Sequence, residues 1–230
     1  MSEFQGKPES RKPAPGMPAK RLSGKKRFLK GSVQLAPVPA VLVTCADGET
    51  SDIVTVGWTG IVCTHPPMTY ISIRPERYSY PLITQSGEFV INLTTKQLVK
   101  AVDFCGVRSG KDVDKFEVCK LTPEPCSKVS CPMLAESPLS LECKVVKELP
   151  LGTHNMLLAE IVAINVDEKL LAADGKLRLD KADLLAFAHG EYYELGQRLG
   201  SFGYSVKKPV KKSRGKAKPK STPDKRRNSK

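Results

Sequence analysis

The sequence predicts a mainly β domain, a β-rich α+β fold whose antiparallel strands close into a barrel with short flanking helices. Three observations lead there. Short runs rich in Val, Ile and Thr recur between turn residues, the pattern of half-buried strands. The helical stretches interrupt that series without alternating with it, which argues against a parallel βαβ sheet. No G-x-G-x-x-G turn is present, so the usual mark of a Rossmann dinucleotide site is missing. Closure is expected because an open antiparallel sheet leaves unpaired edges.

The elements follow in order. Ala40 to Cys45 is a short apolar, β-branched run that stops at Asp47-Gly48, a strong hairpin signal. The next run, Ile53 to Val62, holds Gly57 and Gly60; glycine inside a strand often marks a bulge or a close approach of ligand to backbone. Met68 to Arg74 alternates with period two, and the three runs read as successive antiparallel strands. Ser79 to Ser86 predicts a helix with Ser79 as N-cap, Pro81 in the first turn and Gly87 as terminator. Glu88 to Leu93 is another strand. A second helix is opened by Thr94 or Thr95 and closed by Gly106, with Leu98, Val99 and Val102 at helical spacing. Gly106 to Lys120 reads as a loop running into a short helix. Leu139 to Leu149 and Asn155 to Val166 are longer strands joined near Pro150-Leu151-Gly152, and Leu184 to Tyr193 supplies a last strand.

Charge is unevenly placed. The formal net charge is +13, but residues 1–30 contribute +7 and residues 207–230 contribute +11, which leaves −5 for the body between them. A nucleic-acid-binding domain usually carries its basic face within the folded part, so the basicity here belongs to the ends. Residues 1–27 and 207–230 are poor in large apolar residues and are expected to be disordered, because they cannot bury enough surface to offset the entropy of ordering. They would meet nucleic acid only non-specifically. The body, 28–206, is expected to be one domain. The seven cysteines include none at C-x2-C spacing, which makes a metal site at Cys119, Cys126, Cys131 and Cys143 a poor expectation. Free thiols, no signal-peptide pattern and no long apolar stretch imply a reducing cytoplasm and no membrane span.

Specific strings take the reading further. Asp52-Ile53-Val54-Thr55-Val56-Gly57-Trp58-Thr59-Gly60 closely resembles the N-I-x-T-x-x-W-T-G strand of the flavin reductase-like, flavoredoxin-type family. Arg74-Pro75-Glu76-Arg77-Tyr78-Ser79 resembles that family's R-P-x-R-Y-[ST] segment, and Gly87 to Asn92 its G-E-F-V-[IV]-N strand. Ser109 to Phe116 is similar to its S-G-[RK]-D-x-D-K-F loop, Gly152-Thr153-His154-Asn155 to its G-x-H-D turn, and Gly190 to Tyr193 to its closing element. The resemblance runs from about Phe28 to Tyr204. Two positions depart from the pattern: Asp52 stands where asparagine is common, and Asn155 where the family has an acidic residue.

The resemblance implies an FMN-binding Greek-key split β-barrel, a homodimer with the flavin in a groove at the subunit interface, NAD(P)H as electron donor and a redox protein as a further candidate partner. An FMN needs an anion site for its phosphate and backbone groups along its ring edge. Arg77 offers a bidentate fork, with Tyr78 beside it and the Ser79 hydroxyl next. Ser109, Lys111 and Lys115 add a hydroxyl and two cations to an acidic body. Thr55, Val56, Gly57 and Trp58 would present the main chain to the ring, since Gly57 has no side chain to block approach. His154 is the residue placed for catalysis, beside the flavin. Bland alternatives stand next to each assignment: Arg77 and the lysines pairing with Glu76, Asp112 and Asp114, Trp58 as core, His154 as a structural residue. At the level of function, a non-enzymatic electron carrier and an interaction module acting through the basic ends are the alternatives.

Overall fold

The computed structural model describes Lys26 and residues 29–206. The two expected disordered extensions thus lie outside the described residues, Lys26 excepted. The chain divides between Ala36 and Pro37; the described residues before that point carry neither helix nor strand.

After it come β1 (Val41–Ala46), β2 (Ser51–Val56), β3 (Thr59–Cys63), β4 (Met68–Ile73), α1 (Ser79–Ser86) and β5 (Glu88–Asn92). A 3-10 turn at Lys96–Leu98 runs into α2 (Val99–Val107), followed by α3 (Lys115–Cys119) and the two-residue strands β6 (Pro123–Glu124) and β7 (Met133–Leu134). The long pair β8 (Leu139–Pro150) and β9 (Asn155–Val166) precedes the hairpin β10 (Leu185–Ala188) and β11 (Glu191–Glu194).

Four local expectations change. The run Ile53 to Val62 is two strands, broken at Gly57-Trp58, which pair with different neighbours. Gly106 lies inside α2 instead of ending it. A Cβ there would sit 3.3 Å from Thr55 Cβ, so the glycine serves the close approach of helix to strand. Ser79 is not the cap of α1; that place falls to Tyr78, with no side-chain capping bond. The last strand is a hairpin, turned by His189 and Gly190 at φ 53° and 86°.

Seven strands form one antiparallel sheet in the order β2-β1-β5-β8-β9-β4-β3. β5 returns beside β1 and not beside β4, a Greek-key connection. The two edges, β2 and β3, are joined by only Gly57 and Trp58. Three Cα steps reach about 11 Å, whereas six strand spacings laid flat would measure roughly 29 Å. The sheet must therefore curl, and it does so into a split β-barrel whose seam is that short link.

Alternate residues of β1 face two cores. Val41, Val43 and Cys45 join Val54, Val56, Ile71, Phe89 and Leu157 inside the curl, with Leu82 and Ile83 of α1 packed among them. Ala40 and Leu42 join Ile53, Val102 and Leu185 beneath α2 and β10. Both faces of β1 are covered, which explains why its sequence is apolar without alternation.

Glu142 of β8 is fully buried, and its carboxylate accepts hydrogen bonds from the Ser127, Lys128 and Val129 amides, the Ser127 hydroxyl and Asn165 Nδ2 at 2.6–3.2 Å. Burial alone would raise its pKa; the bonds from Ser127, Asn165 and Lys128 outweigh that and hold it below the usual carboxylate range. Because the folded-state pKa is depressed, this stabilisation is complete above the unfolded value near 4.3 and is lost as pH falls through the folded one. Glu142→Gln turns an NH2 toward those donors and should destabilise the fold at pH 7 by about 1.5–3 kcal/mol, with a shallower acid limb below about pH 4.3. Denaturant melts at pH 7 and pH 3 measure both; a variant as stable as wild type at pH 7 contradicts the assignment.

Candidate functional site

The seam opens a cavity of about 200 Å³ lined by Val54 to Trp58, Ser72, Ile73, Arg74, Arg77, His154 and Phe187. The C-terminal ends of β2 and β4 supply its main-chain walls, the turn before α1 supplies Arg77, the turn just before β9 supplies His154, and β10 supplies Phe187. Arg74 is exposed and Arg77 half-buried. Among the described residues neither makes an ion pair, so the cavity carries two uncompensated guanidinium groups in a body of net negative charge. The alternative in which Arg77 pairs with Glu76 is not what the fold adopts.

Trp58 is 43% exposed and so is no core residue. Its ring meets that of His154, with centroids 4.3 Å apart and planes tilted by 45°. Thr153 Oγ1 lies 2.9 Å from His154 Nδ1. Burial, then the charge of Arg74 and to a smaller degree Arg77, lowers the His154 pKa from 6.5, against an opposing pull from Glu76; the ring is neutral at neutral pH. Asn155, where the family pattern has an acid, donates to Tyr80 Oη at 2.8 Å and to Glu148. An aspartate there would meet the Glu148 carboxylate. Thr55 donates its hydroxyl to the Val102 carbonyl at 2.5 Å, tying β2 to α2. A Cβ on Gly57 would make only ordinary contacts, 3.7 Å to Val38 Cγ2 and 3.9 Å to Pro39 O, so chain packing does not demand glycine there.

The remaining expected site residues gather on the other side of the Arg77 turn. Ser79 and Lys115 do not line the cavity; both side chains are buried on Asp52. Tyr78 is half-buried against the inner core. Ser109 Oγ accepts the Lys111 amide at 3.2 Å, which shapes the loop, and the Lys111 side chain is exposed with no ion pair among the described residues. Thr55, Val56, Gly57, Trp58, Arg77 and His154 are thus brought together, with Tyr78, Ser79, Ser109, Lys111 and Lys115 in a neighbouring group. Sequence reasoning passed over Arg74, although it was quoted within its motif, and Phe187, which carried no local signal. It noted Asp52 only as a departure. Among the described residues no group of three or more His, Cys, Asp or Glu is placed to hold a metal ion, and no helix is long and apolar enough to cross a membrane.

Residues 33–196 match the model of the flavin reductase like domain. Flavoredoxin of Desulfovibrio vulgaris (Miyazaki F) superposes with a TM-score of 0.74 at 32% identity, over 80% of this chain and 100% of that one. An uncharacterised protein of Archaeoglobus fulgidus is 34% identical over 50% of this chain and 66% of its own length. An NADPH-flavin oxidoreductase of Streptomyces viridifaciens is 28% identical over 59% of this chain and 70% of its own.

Trp58 is the single tryptophan, so its fluorescence reports on its ring neighbour. A protonated imidazole beside the indole quenches emission, and the fall should centre below pH 6.5, the ordinary histidine value. His154→Ala should abolish that transition. A midpoint at or above 6.5, or a transition that survives the substitution, would show that the ring is not held as described.

Proposed function

The chain belongs to the flavin reductase-like family, and on that premise we propose that it binds FMN at the seam and works as an oxidoreductase taking hydride from NAD(P)H. The observation that carries this reading is the meeting, in one cavity, of a glycine-containing main-chain wall at Thr55–Trp58 with two unpaired guanidinium groups, Arg74 and Arg77. The donor set fits the group. A guanidinium binds phosphate through two parallel hydrogen bonds, and Gly57 leaves backbone amides open to a ring edge where the fold itself would admit a side chain. Ser109 and Lys111 extend the cationic side of the site.

The bound flavin would accept two electrons and a proton as hydride and release the electrons to an acceptor. The residues of this chain position and exclude. Trp58 and His154 form a flat, partly apolar wall against which a second planar ring can lie. Holding reactants in register is the larger demand in hydride transfer, and a neutral His154 serves it by packing or by one hydrogen bond.

The cavity of about 200 Å³ is smaller than the roughly 300–1,000 Å³ of pockets that enclose such ligands. Beside it the edge strand β3 exposes Ile61 and Val62. Both features favour a two-fold homodimer in which a second chain completes the groove. The likeness to a flavoredoxin favours a second reading, an FMN electron carrier with a redox protein as partner; the Streptomyces relative favours the reductase. The folded body is taken as 28–206, with the basic ends as accessories in a cytoplasmic setting.

The protein should bind FMN more tightly than riboflavin, and Arg77→Ala should weaken FMN by about 1.5–3 kcal/mol, the worth of a charge-assisted hydrogen bond. Flavin titrations followed by absorbance measure this, and equal binding of both flavins by wild type rules out the phosphate assignment. Light scattering of the FMN-loaded protein should report two chains; a monomer that retains FMN contradicts the shared groove. With NADH and excess free FMN a reductase turns over steadily, whereas a carrier shows a single reduction event. In stopped flow, His154→Ala should slow flavin reduction by roughly tenfold or less, the low end for acid–base groups; a thousandfold loss with flavin still bound would make it an obligatory catalytic residue.

A further inference from the structure

Asp52, Lys115 and Ser79 are 2%, 3% and 1% exposed. The Asp52 carboxylate takes Lys115 Nζ at 3.0 Å on Oδ1 and 3.2 Å on Oδ2, and the Ser79 hydroxyl at 2.5 Å on Oδ2. Lys115 Nζ spends another proton on the Ile53 carbonyl at 2.5 Å. The same carboxylate is the floor beneath Gly110: a Cβ there would lie 2.2 Å from Asp52 Oδ1 and 2.8 Å from Tyr78 Cδ1. Gly110 takes no left-handed φ, so what the position requires is space. One acidic side chain on β2 thus joins the start of α1, the root of α3 and the loop between Ser109 and Lys115.

Those three segments hold the residues that the FMN reading assigns to the phosphate. The ammonium of Lys115 is buried and neutralised, so it has no charge left for a ligand at the surface. With Arg74 beside the cavity, the cations of these strings still open are Arg77 and Lys111, and the loop carrying Lys111 rests on Asp52 through Gly110. We propose that Asp52 is the positioning residue of the phosphate side of the site. By clamping Lys115 and seating Gly110 it sets the loop 109–115 against the turn Arg77–Ser79, and the phosphate is read by Arg77, Ser109 and Lys111 without Lys115. This inference rests on the FMN reading and refines it.

Two variants test it. Asp52→Asn removes the charge and keeps the shape; Gly110→Ala keeps both buried charges and lifts the loop. Flavin titration and amide hydrogen exchange are measured on each, the exchange on flavin-free protein. Exchange at Lys111 and Asp112 should quicken at least tenfold in both variants. The Kd for FMN should rise at least tenfold while that for riboflavin stays within about twofold, so the preference for the phosphorylated flavin collapses. A merely structural role would lower the melting temperature and weaken both flavins alike, which overturns the proposal. Unchanged exchange in the folded variants also overturns it. If Asp52→Asn does not fold, Gly110→Ala decides alone. If wild type binds neither flavin while exchange still quickens, the clamp stands as a fact of the loop and the FMN reading falls, taking the phosphate role with it.

Discussion

The two-residue link between β2 and β3 governs this architecture. Those strands are the opposite edges of a seven-stranded sheet, and a tether of Gly57 and Trp58 holds the edges together. Every ladder in between must coil to permit it, in the direction set by the natural strand twist. The seam that results is never closed by β2–β3 hydrogen bonds, so main-chain groups are presented there beside the ends of β4 and β9. The candidate site lies at the seam, where the curl of the seven-stranded sheet leaves backbone without a neighbouring strand.

Buried carboxylates do a second kind of work. Glu142 holds the loop 126–131 against β8 through several donors, and Asp52 holds the loop 109–115 against β2 through an ion pair and a seated glycine. In both cases an acid inside the fold organises an irregular segment outside it. A buried charge of this sort is costly to leave alone, and its partners are correspondingly well determined. The contrast with Arg74 and Arg77 is informative: they face the cavity without acidic partners, in a body whose net charge is negative.

The thiols of Cys45, Cys105, Cys131 and Cys143 are pushed up by burial, which leaves them unreactive, and His154 is neutral against Trp58. On the reading proposed above, a site that would position flat rings and bind an anion leaves the redox chemistry to a cofactor, in keeping with the family to which the chain belongs.

By itself the sequence determined the β-rich class, the bounds of α1, the hairpin at Asp47-Gly48 and the strings that mark the family. Those are local properties, set by side-chain period and turn chemistry within a few residues. The tertiary structure decided which strands became edges, split the run Ile53 to Val62, carried His154 to Trp58 and brought Phe187 into the same cavity. It also decided the fate of each charge. Arg77 and Lys115 read alike as cations within strings that resemble the family pattern, yet Arg77 faces the cavity and Lys115 is consumed by Asp52, which lies 63 residues earlier in the chain. A charged side chain acts on whatever the fold sets across from it, and spacing along the chain holds no record of that partner.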